Sequence, residues 1–211
     1  TGDPIYKKNL KYGNKLLLIE PQRKFREQLL KNYCDFKGEL YIEHVAIGDS
    51  TKKLKFHILK EEYWEEYKKK VGKSADLAFS LIKSQVEKIM ASRLGIDISK
   101  IDEYMTTLDI DILPLQNLLV KYNFGEIDVL QIDAEGYDFQ IIKSLEDIKP
   151  KIINFESFSL KPEEWVSFKS FCEDKGYGFI QGIMNTLAIY GSNIKYELYK
   201  LGMDDKYRSP I

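Results

Sequence analysis

Asp133 and Glu135 stand where an apolar run stops, in I-D-V-L-Q-I-D-A-E-G-Y-D from Ile127 to Asp138. Ile127, Val129, Leu130 and Ile132 have the composition of a strand buried on both faces of a parallel sheet. Phe139, Ile141, Ile142 and Leu145 then recur at helical spacing. The segment therefore reads as strand, tight acidic turn, helix. Ligands of open α/β sheets bind at the carboxyl ends of the strands, so two carboxylates there are badly placed for a core and well placed for a site, where a base can act. The competing reading is a helix cap, which needs one acid and not two. Two more carboxylates sit in the same kind of place. Glu20 follows K-L-L-L-I at 15–19, where an acid hydrogen-bonds ribose hydroxyls in nucleotide-binding sheets. Glu156 ends the run Lys151–Phe155.

The elements that position these acids alternate. Asp3 and Pro4 suit the start of a short helix over Ile5–Leu10, closed near Gly13-Asn14. Arg23–Tyr33 is helical, and Leu40–Ile47 is a strand turned by Gly48-Asp49. Lys53–Leu59 alternates as a half-exposed strand. Glu61–Lys70 pairs glutamates with lysines four residues on, as an exposed helix does, with Tyr63, Trp64 and Tyr67 covering one face. Ser74–Arg93 continues as a mostly helical region. Tyr104–Ile110 is a short strand and Leu115–Tyr122 a helix. Pro162–Lys175 is a helix stopped by Gly176. Phe179–Tyr190 is a closing hairpin turning at Met184-Asn185, and the tail from Lys195 is polar.

Composition narrows the function. Lys+Arg of 32 against Asp+Glu of 33, over 211 residues, leaves no field to recruit nucleic acid or an anionic membrane. Asp109 and Asp111 read as acids around a helix start, not as a D-x-D metal pair. His44 and His57 are solitary and read as structural. Cys34 and Cys172 form neither a disulfide framework nor a metal pattern. They read as half-buried thiols of a reducing compartment. With no long apolar segment and no leader-like start, the expectation is a soluble, cytoplasmic protein.

Taken in order, L-L-L-I-E-P at 16–21, V-A-I-G-D at 45–49, T-T-L-D at 106–109, D-V-L-Q-I-D-A-E-G-Y-D at 128–138 and the strand ending in Glu156 resemble the FkbM family of S-adenosylmethionine-dependent methyltransferases. The resemblance implies an α/β, Rossmann-like class I methyltransferase fold: a doubly wound, mostly parallel sheet with a C-terminal antiparallel strand. It implies S-adenosylmethionine as cofactor and O-methylation of a hydroxyl on a sugar or small molecule. It places Glu20, beside Pro21, at the ribose hydroxyls. Ala46 and Ile47 would flank the adenine, with Asp49 near its exocyclic amine. Gly2 would approach the methionine part, and Asp133 would face the amino group or the acceptor. The candidate bases are Asp133, Glu135 and Glu156, unranked, with a capping role still open for Glu135. A small-molecule or glycan acceptor is expected, and neither a nucleic-acid nor a membrane partner. A methyltransferase scaffold used only for binding is the alternative, and an NAD-type oxidoreductase a further one, though no intact G-x-G-x-x-G is present.

The expected organisation is one methyltransferase domain over 1–211. Residues 61–102 form a helical insertion longer than the resemblance implies, expected to cover the acceptor side as a lid. The first strand and most of a glycine-rich loop are expected to precede Thr1, so that Thr1 is not the natural start.

Overall fold

The computed structural model describes residues 15–72, 79–80, 83–134, 136–158 and 160–197. The expected helix at 5–10, Gly2, Glu135 and the tail beyond 197 lie outside them. The chain divides into two compact units, Thr1–Pro114 and Leu115–Ile211.

In the first unit, β1 (Lys15–Ile19) pairs in parallel with β2 (Glu39–Glu43) across a 3-10 turn at Arg23–Phe25 and helix α1 (Arg26–Asn32). The strand expected over 40–47 is broken in two. β2 ends at Glu43, and β3 (Ala46–Ile47) belongs to another sheet. The break has a local cause: His44 Nδ1 lies 3.0 Å from the carbonyl oxygen of Glu20, tying the corner to the end of β1. Next come β4 (Lys52–Leu59), α2 (Trp64–Val71), β5 (Phe79–Ser80), α3 (Lys83–Leu94) and β6 (Met105–Leu113). Their sheet has the order β3-β6-β4-β5, with β4 antiparallel to both neighbours and β3 parallel to β6.

The strand expected at Tyr104–Ile110 runs on to Leu113. Asp109 and Asp111 are therefore strand residues on the exposed face, alternating with buried Ile110 and Ile112, and not acids at a helix start. Lys53 pairs with Asp111 at 3.5 Å across the ladder. Gly48, between β3 and β4, has no room for a side chain: a Cβ there would lie 2.5 Å from Ile112 Cγ2. The insertion packs as a second small core. Tyr67 is fully buried with Leu59, Val86, Met90, Leu94, Ile101 and Met105, and its hydroxyl accepts a hydrogen bond from Arg93 at 2.8 Å.

The second unit holds α4 (Leu115–Lys121), β7 (Val129–Ile132), α5 (Asp138–Lys143), β8 (Ile152–Glu156), α6 (Pro162–Lys175), β9 (Tyr177–Gln181), β10 (Asn185–Tyr190) and β11 (Lys195–Glu197). Its sheet has the order β11-β9-β10-β8-β7. β7 and β8 are parallel, while β10 runs antiparallel to β8 and β9. The fold is mixed α/β with mixed sheets; a mostly parallel, doubly wound sheet is not what the strand pairings give. Nor is the run ending at Ile132 buried on both faces. Among the described residues β7 is the edge of its sheet, Val129 is 40% exposed and Gln131 is exposed too. β1 is likewise only half-buried along its length.

The core of this unit is aromatic. Phe168 on α6 is fully buried, with its ring centroid 5.0 Å from Phe155, 5.5 Å from Trp165 and 5.6 Å from Phe179. α6 starts with Pro162 in its first turn and Glu164 accepting from the Lys161 N–H at 3.0 Å. It closes on Gly176 at φ 82°, a left-handed position that favours glycine. Cys172 is fully buried rather than half-buried, and burial pushes its thiol up to about 12. Cys34 is exposed. No described helix is long and apolar enough to cross a membrane.

Phe168→Ala would empty the centre of this cluster. The expected cost is about 3–5 kcal/mol. Denaturant unfolding followed by Trp165 fluorescence measures it; an unchanged midpoint would show that the aromatic cluster does not hold the unit together.

Candidate functional site

The acidic turn is built around a residue that sequence reasoning passed over. Asp138, the first residue of α5, is 1% exposed. Its carboxylate accepts from the backbone N–H of Ala134 at 3.3 Å, of Gly136 at 3.2 Å and of Glu156 at 3.3 Å. One side chain thus ties the turn after β7 to the end of β8. Gly136 sits at φ 93°, which the tight reversal requires. The residue preceding α5, Tyr137, makes no side-chain cap. The signal for Asp138 was present: an acid five residues after Asp133, at the start of an apolar helix. It reads as an ordinary first-turn acid until the ends of two parallel strands are known to meet there.

The β7–β8 register pairs Ile132 with Phe155, so Asp133 and Glu156 occupy the next level of adjacent strands. Asp133 is exposed and Glu156 half-buried. Burial raises the Glu156 carboxyl above its ordinary value, and the charges of Asp133 and Asp138 raise it further. Burial also raises Asp138, opposed by the three N–H groups it accepts. The structure therefore gathers two of the expected acids, Asp133 and Glu156, and adds Asp138. Such a cluster is costly in isolation and favours a cation or a proton beside it.

In the first unit Glu20 directly follows β1, half-buried. Its Oε1 accepts from the Gln22 N–H at 2.9 Å, and its own N–H donates to Glu43 O at 2.9 Å. Pro21 lines a cavity of about 200 Å³ together with His44, Trp64, Asp109 and Asp111. Trp64 belongs to the insertion, and its indole N–H donates to Leu59 O at 2.9 Å, which fixes the ring. A carbonyl only accepts, so the contact with Glu20 O puts the His44 proton on Nδ1. Its Nε2 is buried without a partner. Ile47 is buried and Ala46 half-buried against Phe56, Ile110 and Ile112. Asp49 is exposed, and its hydrogen bonds from Lys52 at 2.8 Å and Ser50 at 2.9 Å hold its carboxyl below the ordinary value. No group of three or more His, Cys, Asp or Glu suited to a metal occurs among the described residues.

Two outcomes follow. Asp138→Ala strands three backbone donors and should lower stability by about 1–3 kcal/mol in thermal or chemical unfolding; a neutral result would make the bonds incidental. Glu156 has a folded-state pKa above its unfolded value, so its stabilising share is complete below the unfolded value and is lost as pH rises through the folded one. Glu156→Gln should therefore unfold at higher denaturant than the parent chain at pH 7, the two converging in acid. A gap that widens toward acid pH contradicts the raised carboxyl.

The chain matches the family described as Methyltransferase FkbM domain over residues 3–200 of its 211. No curated protein and no solved structure matches it. The chain therefore belongs to the FkbM methyltransferase family, and methyl transfer is the activity its membership supports.

Proposed function

We propose that the chain is an S-adenosylmethionine-dependent O-methyltransferase acting on a hydroxyl of a sugar or small molecule, in the cytoplasm. The observation that carries the reading is the convergence of Asp133, Asp138 and Glu156 at the ends of β7 and β8. Three like charges held together fit a cationic ligand, and S-adenosylmethionine carries both an ammonium and a sulfonium. When bound it supplies a methyl group already activated for transfer. The residues have only to bind, align and accept a proton.

In this reading Glu20 accepts hydrogen bonds from ribose hydroxyls, with Pro21 beside it. Ala46 and Ile47 provide the apolar flank of the adenine, and Asp49 meets its exocyclic amine. Gly2, outside the described residues, keeps the approach to the methionine part that the resemblance implies. Asp133, the exposed acid, faces the ammonium. Glu156 takes the proton of the acceptor hydroxyl, because it is half-buried, and burial and the charges of Asp133 and Asp138 raise its carboxyl, which strengthens it as a base. That ranks Glu156 above Asp133 among the candidates, and Glu135, also undescribed, stays a possible cap. The balanced charge supports a small-molecule or glycan acceptor over nucleic acid.

Glu20→Ala should weaken S-adenosylhomocysteine binding by about 2–4 kcal/mol in calorimetry, through loss of charge-assisted hydrogen bonds. Unchanged affinity in a folded variant removes the cofactor assignment. Transfer of labelled methyl from S-adenosylmethionine into a panel of hydroxylated acceptors tests the reaction itself. Glu156→Gln should cut turnover by about 10²–10⁴ with the active acceptor, as loss of a general base does. A variant that turns over at the parental rate shows that another group takes the proton.

A further inference from the structure

We infer that the insertion at 61–102 serves the cofactor end of the site, through a latch in which the Trp64 ring carries the Lys24 ammonium and so holds the segment that orients Glu20. The inference rests on the methyltransferase reading, in which Glu20 meets the ribose. It gives that site two positioning residues, Trp64 and Lys24. Neither belongs to the motifs that carry the family resemblance.

The insertion reaches Glu20 by a continuous run of contacts. Lys24 Nζ lies 3.3 Å from the centroid of the Trp64 ring. Lys24 is the middle residue of the 3-10 turn Arg23–Phe25. That turn opens on Gln22, whose carbonyl accepts from the Phe25 N–H at 3.1 Å. Gln22 is buried, and its N–H donates to Glu20 Oε1 at 2.9 Å. The backbone donor that orients the Glu20 carboxylate therefore sits at the start of the turn that Trp64 holds. Gln22, Lys24 and Trp64 also line the same cavity of about 200 Å³ beside Pro21.

A single 3-10 turn is too short to hold itself, and no side chain caps this one. Its position has to come from tertiary contacts. Trp64 is a firm one. It begins α2, its indole N–H is bound to Leu59 O at 2.9 Å, and Tyr67 on the same helix is fully buried. The face of its ring is electrically negative and attracts an ammonium laid over it. Lys24 is exposed, so fixing its long side chain costs rotamer freedom, and the ring offsets that cost. The return is at Glu20. A carboxylate held in its binding direction before the ligand arrives has less freedom to lose on binding, and affinity rises accordingly.

The test is a double-mutant cycle in the whole chain. S-adenosylhomocysteine affinity is read by calorimetry, with the denaturation midpoint measured beside it. Lys24→Met keeps the aliphatic stem and removes the charge; the site is exposed, so this variant is expected to fold. Trp64→Leu removes the ring, and Trp64→Phe restores an aromatic face. Lys24→Met and Trp64→Leu should each weaken binding about two- to fivefold, and Trp64→Phe should recover most of that loss. The double variant should bind no worse than the weaker single, because both substitutions break one contact. Parental affinity in both folded single variants overturns the inference. So do losses that multiply in the double variant, and so does a midpoint that falls while affinity holds, which makes the contact purely structural. In each of those cases the parent chain still binds S-adenosylhomocysteine, and the methyltransferase reading stands. A parent chain that does not bind it removes the reading and the inference together.

Discussion

The second unit depends on one carboxylate holding three backbone N–H groups. Asp138 accepts from Ala134, Gly136 and Glu156, and so joins the turn after β7 to the end of β8. Burying a charge costs several kcal/mol unless it is well bonded. Here the cost is offset by donors that the tight turn would otherwise leave unmet. The consequence reaches the chemistry. Fixing the backbone of Glu156 against that of the turn sets Asp133 and Glu156 on adjacent strands, and burial, with the charges of Asp133 and Asp138 added, raises the Glu156 carboxyl. Fold and reactivity come from the same bonds.

Electrostatic strain of this kind is informative because nothing in the packing demands it. The aromatic cluster around Phe168 would hold α6 on its sheet whatever stood at the strand ends. Acids gathered there lower stability at neutral pH, and a ligand bearing positive charge would recover it. Family membership supplies methyl transfer as the reaction, and the cofactor proposed for it is such a ligand.

Much of this was legible in the sequence where a local rule settles the structure. The strand before Glu20 and the helix from Pro162 to Gly176 lie where periodicity, proline and glycine put them, and the closing hairpin is present with its turn at Gly182–Met184, just ahead of the expected Met184-Asn185. The family was legible through short motifs in the right order. What was not legible depended on partners distant in the chain. The run at 40–47, apolar but for Glu43 and His44, cannot reveal that His44 leaves the ladder to meet Glu20. The β-branched residues of 127–132 suggest burial on both faces, whereas neighbours decide it, and β7 has one described partner. Asp109 and Asp111 look like acids near a helix because the end of β6 is set by pairing with β4 and β3. Asp138 escaped notice because its acceptors' partner, the Glu156 N–H, is eighteen residues away.

The central claim is that the acids at the ends of β7 and β8 form a site for a cation next to a raised carboxyl. It is tested most directly by 13C NMR titration of carboxyl-labelled glutamate in the whole chain, with and without S-adenosylhomocysteine, assigned through Glu156→Gln. The account predicts that Glu156 titrates above the ordinary glutamate range in the free chain, and that its titration moves down when the ammonium-bearing ligand binds. An ordinary Glu156 titration that the ligand leaves unmoved would contradict it.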